Sequence, residues 1–258
     1  MMMTLRFLGT GWSHGVPSLG CTCEVCTGGH PKNQRLRSSV LLEQDGFNVV
    51  VDVGPDFREQ ALRNKIRSLD AVLITHQHAD HVMGLDDVRR FSWMQGAALP
   101  VWAEASVLER LRELYPYASD QTEPRKAVPL LKFSEWTSPV EVGRMKFRAF
   151  RVPHGSLPCV GIRIDAPGGS IGYVPDCSAL PDPALNILAG VDVMILNALR
   201  LTPHPSHLTL DQSVAWLQKI NAPRSFLTHM GCPIDYETRN PGLPGGVEMA
   251  WDGLEIRV

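Results

Sequence analysis

The sequence has no excess of positive charge. Its 258 residues carry 25 Lys and Arg against 27 Asp and Glu, a formal net charge of −2. A surface built to hold nucleic acid or an anionic membrane needs a basic excess, so neither is expected as a partner. No apolar run approaches the roughly 20 residues of a membrane span. The opening MMMTLRFLGTGW lacks a long apolar stretch followed by a cleavage site, so it reads as a first strand entering a glycine turn rather than a signal peptide. Repeats, low-complexity tracts and charge blocks are also missing. What remains is an ordinary globular composition, 44% apolar and 20% charged, and a single domain over residues 1–258 is expected. A cytoplasmic setting follows as the expectation, in which thiols stay reduced.

The cysteines are few but unevenly spread. Six could make three disulfides, yet Cys21, Cys23 and Cys26 crowd into LGCTCEVCTGGH. Thiolates grouped this tightly usually hold a tetrahedral metal, which needs a fourth ligand. His30, Cys159, Cys177 and Cys232 are the candidates. His30 is close in sequence, whereas Cys232 lies just beyond His229 in THMGCP.

Strands dominate both ends. Residues 4–8, 38–44 and 47–54 read as strands, the last two joined at Asp45-Gly46, a hairpin signal. Pro55 opens a helix over DFREQALRNK. DAVLIT (70–75) is a buried strand, and residues 145–152, 160–165, 169–176, 191–198 and 224–230 continue the pattern. Helices are expected over ASVLERLRELY and LDQSVAWLQKI. VEMAWDGLEIRV reads as a closing hairpin around Asp252-Gly253, and residues 84–140 as an insertion that rims the site. Sheets packed together with helices outside fit this order.

The sharpest feature is THQHADH, directly after the DAVLIT strand. It puts His76, His78, Asp80 and His81 within a few residues. Three imidazoles and a carboxylate are costly to bury unless something binds them, and these donors suit zinc, manganese or iron. Three later ligand types also end apolar strands: His154 after FRAFRVP, Asp176 after SIGYVP and His229 after RSFLT. Strand ends on one edge of a sheet gather in space, so the four segments can converge.

HxHxDH followed by a lone His, a lone Asp and a lone His resembles the ligand pattern of the metallo-β-lactamase superfamily. The resemblance implies an αββα sandwich, two packed mixed β-sheets with helices on the outer faces. It further implies that His76, His78 and His154 hold one divalent metal, that Asp80, His81 and His229 hold a second, and that Asp176 bridges them. Asp52, in VVVDVG, matches an aspartate that supports the metal loop from behind. Redox members usually carry a carboxylate where this chain has His78, which favours hydrolysis. GTGxxxGVPxxGCxCxxC near the start resembles the phosphoribosyl cyclic phosphodiesterases of the carbon–phosphorus lyase pathway. There the same three cysteines bind a structural zinc, completed by a histidine three residues after the last active-site histidine. Cys232 occupies that position here, so Cys21, Cys23, Cys26 and Cys232 are expected to hold a structural Zn²⁺, with His30 in reserve. Cys159 and Cys177 read as small core residues.

The resemblance implies hydrolysis of a small, cyclic phosphodiester by two ions, Mn²⁺ or Zn²⁺, sharing a hydroxide available at neutral pH. Asp80 and His207 are the residues on which activity should depend, with His207 of LRLTPHPSHLTLDQ acting on the leaving group and His204 at the rim. A substrate with a second phosphate would need a cationic contact, for which Arg35, Arg37 and Arg200 are available, although each of them reads first as a surface arginine. A homodimer is suggested by the family alone. The alternatives are a tRNA 3′-processing-type nuclease, a lactonase or thioesterase, and a binding protein like the pyrroloquinoline quinone biosynthesis member.

Overall fold

A computed structural model of the chain describes residues 2–118, 130–136 and 139–258. The strands are β1 (Thr4–Gly9), β2 (Ser39–Gln44), β3 (Phe47–Val51), β4 (Ala71–Leu73), β5 (Leu99–Ala103), β6 (Leu131–Glu135), β7 (Val140–Val142), β8 (Met145–His154), β9 (Leu157–Ala166), β10 (Gly169–Val174), β11 (Val193–Asn197), β12 (Arg224–Thr228), β13 (Val247–Met249) and β14 (Glu255–Arg257). The α-helices are α1 (Glu24–Thr27), α2 (Phe57–Arg63), α3 (Ala79–Val82), α4 (Arg89–Gln95), α5 (Ala105–Leu114), α6 (Asp182–Leu188), α7 (Leu210–Ile220) and α8 (Tyr236–Arg239). Among the described residues no helix is long and apolar enough to cross a membrane.

Two seven-stranded sheets pack face to face. One runs β14-β1-β2-β3-β4-β5-β6 and the other β13-β12-β11-β10-β9-β8-β7. Each is antiparallel on one side and parallel on the other: β3 to β6 are parallel in the first, β10 to β13 in the second. Strand alternation divides the side chains between layers. Val49 and Val51 point into the core between the sheets with Phe147, Ile164, Tyr173 and Phe226. Val50 points outward onto Phe57, Phe91 and Leu111, on the helices that cover the first sheet. Leu188 and Leu217, from α6 and α7, cover Met194, Leu196 and Leu227 of the second. Burial on both faces explains why the central strands read as unbroken apolar runs. This is the αββα sandwich.

Most local signals have a visible cause. Asp45 and Gly46 both have positive φ, 52° and 88°, as a two-residue hairpin turn requires. Helix α7 begins at a capping box: the Gln212 N–H donates to Thr209 Oγ1 and the Thr209 N–H donates to Gln212 Oε1.

Two expectations change. The closing segment is no hairpin. β13 pairs with β12 in the second sheet and β14 with β1 in the first, so the chain crosses between sheets at Asp252-Gly253. Asp252 holds this crossing by accepting the Thr10 O–H and the Leu36 N–H, both from the other end of the chain. Within residues 84–140, β5 and β6 extend the parallel part of the first sheet, and α4 and α5 pack on its outer face. Residues 119–129 and 137–138 of that stretch lie outside the described residues.

The turn after β3 is packed too tightly for any side chain. A Cβ on Gly54 would lie 2.0 Å from the Asp80 carbonyl oxygen, and one on Gly84 2.0 Å from the Gly54 carbonyl. Gly54→Ala is therefore expected to reduce unfolding free energy by about 1–3 kcal/mol. Gly245→Ala, which meets nothing within 4 Å, should be close to neutral. Denaturant unfolding of both variants checks this.

Candidate metal centre

Parallel strands bring their C-terminal ends to one edge. Register aligns Val51 with Leu73, Val174 with Leu196 and Asn197 with Thr228. The loops that leave β3, β4, β10, β11 and β12, with the end of β8, carry Asp52, the THQHADH residues, Asp176, His207, His229 and His154. Open sheets of this kind place ligand sites outside the carboxyl ends of their strands.

Asp52 is the hub. It is fully buried, and its Oδ1 accepts the Thr75 N–H at 2.8 Å. Its Oδ2 accepts the Thr75 O–H at 2.8 Å and lies 2.7 Å from His81 Nδ1. Burial pushes its carboxyl up, and His81 and Thr75 oppose that. Burial likewise disfavours charge on His81, yet Asp80, Asp52 and Asp176 together hold this imidazole well above its ordinary range.

Three imidazoles face one point. His76 Nε2 and His154 Nε2 lie 2.9 and 3.2 Å from His78 Nδ1. Their other nitrogens are engaged: His76 Nδ1 is 3.1 Å from Thr75 Oγ1, and His154 Nδ1 is 3.0 Å from the Ser206 carbonyl oxygen. The carbonyl only accepts, so the His154 proton sits on Nδ1 and the Nε2 lone pair is free. Burial lowers the pKa of both His76 and His154, which keeps them neutral and able to ligate.

Beside this trio, His81 Nε2 lies 3.3 Å from Asp80 Oδ2 and 3.2 Å from Asp176 Oδ2. His229 Nε2 lies 3.5 Å from Asp80 Oδ2 and 3.3 Å from Asp176 Oδ1. Although burial disfavours their charge, the surrounding histidines hold both carboxylates well below the usual range. His81 Nε2, His229 Nε2 and Asp176 Oδ2 are buried without a hydrogen-bond partner among the described residues. Orphaned donors converging in this way are costly to a protein alone and suited to a divalent cation. His76–His78–His154, His76–His81–Asp176 and Asp80–His81–His229 each bring three ligand atoms within 4.8 Å of one another. His207 Nδ1 sits 3.3 Å from Asp176 Oδ1, and its ring stacks on His229 at 5.1 Å. Burial lowers its pKa to about 3.

Backbone strain accompanies the chemistry. Asp52 and His229 have φ of 63° and 54°, left-handed values that cost about 1–3 kcal/mol at such residues and cluster at functional sites. Sequence reading passed over Thr75, which joins Asp52 to His76, although it opens the THQHADH motif. It also passed over the Ser206 carbonyl, which no residue type can signal.

The sulfur cluster lies one turn away. Cys21, Cys23, Cys26 and Cys232 place their Sγ atoms within 4.8 Å of one another, with Cys21 and Cys232 at 3.9 Å. Four thiolates at about 2.3 Å from zinc would be spaced about 3.8 Å apart. His30 is elsewhere, capping the turn at Pro31 and stacked on Tyr236. Cys159 and Cys177 are buried, donating to the Asp176 carbonyl and to Asn197 Oδ1.

Of the three arginines read as surface residues, Arg35 is not one. It is 1% exposed and donates to Asn33 Oδ1 and the Gly231 carbonyl. Burial lowers its pKa to about 10, and Asp252, Asp235 and Cys232 act in the opposite direction. Arg37 pairs with Asp56 at 2.8 Å. Arg200 donates to the Thr202 and Pro203 carbonyls, bracing the loop that carries His207.

Fold and site together define a metallo-β-lactamase-type hydrolase centre, and the β-lactamase superfamily domain model matches residues 47–230. The chain belongs to the metallo-β-lactamase superfamily. Within it, the chain is similar to a diphosphatase of the PhnP family whose crystal structure is known: 38% identity, coverage of 100% of this chain and 98% of that one, and a TM-score of 0.91. An octanoyltransferase of Porphyromonas gingivalis is 37% identical over 98% of this chain, but the chain spans only 51% of that protein's length. Zinc-bound PqqB from Methylobacterium extorquens, at 22% identity and a TM-score of 0.82 over 99% of this chain and all of that one, has the same fold.

Asp52→Asn keeps the shape and tolerates the left-handed backbone but removes the charge that orients His81. Metal affinity, measured by competition with a chelator, is expected to fall about 10–100-fold. Unchanged affinity would mean that ring packing alone orients His81.

Proposed function

We propose that the protein is a dinuclear-metal phosphodiesterase acting on a small phosphodiester, with a cyclic phosphate such as a phosphoribosyl cyclic phosphate as the leading substrate class. The observation that carries this reading is the convergence of seven ligand residues on one sheet edge with His207 poised against Asp176. His76, His78 and His154 would hold one ion, Asp80, His81 and His229 the other, with Asp176 between them. Two divalent ions, Mn²⁺ or Zn²⁺, supply Lewis acidity toward phosphoryl oxygens and lower the pKa of water.

The chain's own groups do the rest. Asp52 fixes the tautomer of His81, and Thr75 passes the same orientation to His76. The Ser206 carbonyl does so for His154. His207 lies 3.3 Å from Asp176 and is only partly buried, so it could hydrogen-bond to a departing oxygen and deliver a proton to it. Burial disfavours the protonated ring, and the negative charge of a bound phosphate acts in the opposite direction. The four cysteines would hold a structural zinc that ties the N-terminal loop to the turn after β12. Net charge of −2 weighs against a nucleic-acid substrate.

A second reading is favoured by one observation, the similarity to a PhnP-family diphosphatase along the whole chain. The same centre would then cleave a phosphoric anhydride. Acyl transfer does not follow from the P. gingivalis relative, since half of that protein has no counterpart here.

The assay sets bis(p-nitrophenyl) phosphate, a ribosyl cyclic phosphate, a diphosphate-bridged dinucleotide, p-nitrophenyl phosphate and a lactone against protein reloaded with Mn²⁺ or Zn²⁺. Diester cleavage is expected, abolished in Asp80→Ala. Turnover of the dinucleotide alone would select the second reading, and turnover of the lactone alone would sink both. His207→Ala is expected to lower kcat about 10²–10⁴-fold with metal content unchanged; equal activity removes it from the mechanism. Cys232→Ala should lose one zinc per chain by elemental analysis and keep the other metals.

A further inference from the structure

Away from the metal centre, α2 and α4 leave a groove on the outer face of the first sheet. It encloses a cavity of about 430 Å³, within the size range of small-molecule sites, about 300–1,000 Å³. Its floor is apolar: Phe57, Ile66 and Phe91 line it, each 9% exposed or less. Leu62 and Met94 stand at its mouth, 62% and 54% exposed, where apolar side chains gain nothing from water.

The rim carries the opposite chemistry. Arg58, Lys65, Arg67 and Arg90 line the groove against a single carboxylate, Asp87. All four cations are exposed. Among the described residues none of them makes an ion pair, and Arg90 lies instead over the Trp93 ring at 4.4 Å. A net negative chain has therefore gathered unpaired positive charge around one apolar hollow. Such a rim repels cations and gives a nucleotide's polar sugar no donors on the floor. It suits a ligand with a hydrocarbon body and one anionic head.

We infer that this groove binds a small amphipathic anion, a medium-chain carboxylate, with its hydrocarbon on Phe57, Ile66 and Phe91 and its carboxylate among Arg58, Lys65 and Arg90. None of the residues of the metal centre lines the groove, so binding and hydrolysis are separable.

The test is calorimetric titration of the metal-loaded protein with octanoate, flanked by hexanoate and decanoate and set against neutral octanamide. One saturable site per chain is expected. Affinity should rise about two- to fourfold per methylene added, the signature of apolar burial. Octanamide should bind at least tenfold more weakly, as should octanoate to the Arg58→Glu/Arg90→Glu double variant and to Leu62→Glu. All these substitutions sit on exposed side chains, and circular dichroism with the hydrolytic assay checks that the variants remain folded and active. No saturable octanoate binding overturns the inference, as does binding that both variants leave unchanged. Size-exclusion chromatography runs alongside. A change of oligomeric state in the double variant, without octanoate binding to the parent, would assign the face to a second copy of the chain and also overturn it.

Discussion

The buried contact between Asp52 and His81, 2.7 Å from carboxylate oxygen to Nδ1, sets the rest of the site. Asp52 directly follows β3, and His81 lies in α3 after β4. Their contact ties together the segments that follow two adjacent parallel strands of the first sheet. Through Thr75 the same carboxylate reaches His76, so one buried charge orients imidazoles that face both halves of the centre. The Val53 N–H donates to the His81 carbonyl, and the Gly84 N–H to that of Val53, so the backbone repeats the pairing. The absence of Cβ atoms at Gly54 and Gly84 is what lets these two loops touch. A carboxylate buried alone would be strongly destabilising; here hydrogen bonds and an imidazole compensate it, and the compensation is directional.

The same logic explains why the cluster of histidines and aspartates survives burial. His81 Nε2, His229 Nε2 and Asp176 Oδ2 face oppositely charged groups but have no hydrogen-bond partner among the described residues. Backbone hydrogen bonds elsewhere must outweigh this cost, and the two sheets supply them by locking the strand ends in register. The left-handed backbone at Asp52 and His229 belongs to the same balance. Strain of this kind persists only where surrounding structure over-determines it.

How far the sequence discloses this depends on the range of each interaction. THQHADH is legible because its candidate ligands lie within six residues of one another, and the αββα arrangement is implied by the family resemblance that this motif carries together with the strand-ending His154, Asp176 and His229. Hairpin and helix starts are legible for a similar reason: Asp45-Gly46 and Thr209 with Gln212 act within a few residues. The closing segment misleads because Asp252-Gly253 has hairpin chemistry while its function is set by Thr10 and Leu36, more than 200 residues earlier in the chain. Arg35 misleads because an arginine's exposure is decided by what folds over it. Ser206 serves through a carbonyl that every residue possesses, so no composition rule could find it.

Arg35 also explains how the sulfur cluster can sit where it does. Four thiolates around one Zn²⁺ would carry two negative charges more than the ion neutralises, and the turn after β12 that holds Cys232 also follows His229. An uncompensated double charge there would compete with the metal centre for its field. Arg35 donates to the Gly231 carbonyl, adjacent to Cys232, and is surrounded by Asp235 and Asp252. Those two carboxylates have work of their own: Asp235 accepts from Asn33 and caps α8, and Asp252 holds the crossing between sheets. One buried guanidinium therefore sits where the sulfur cluster, the sheet crossing and the active-site turn meet. Its positive charge faces Asp252, Asp235 and the Cys232 sulfur, and so links the sheet crossing to the turn that follows β12.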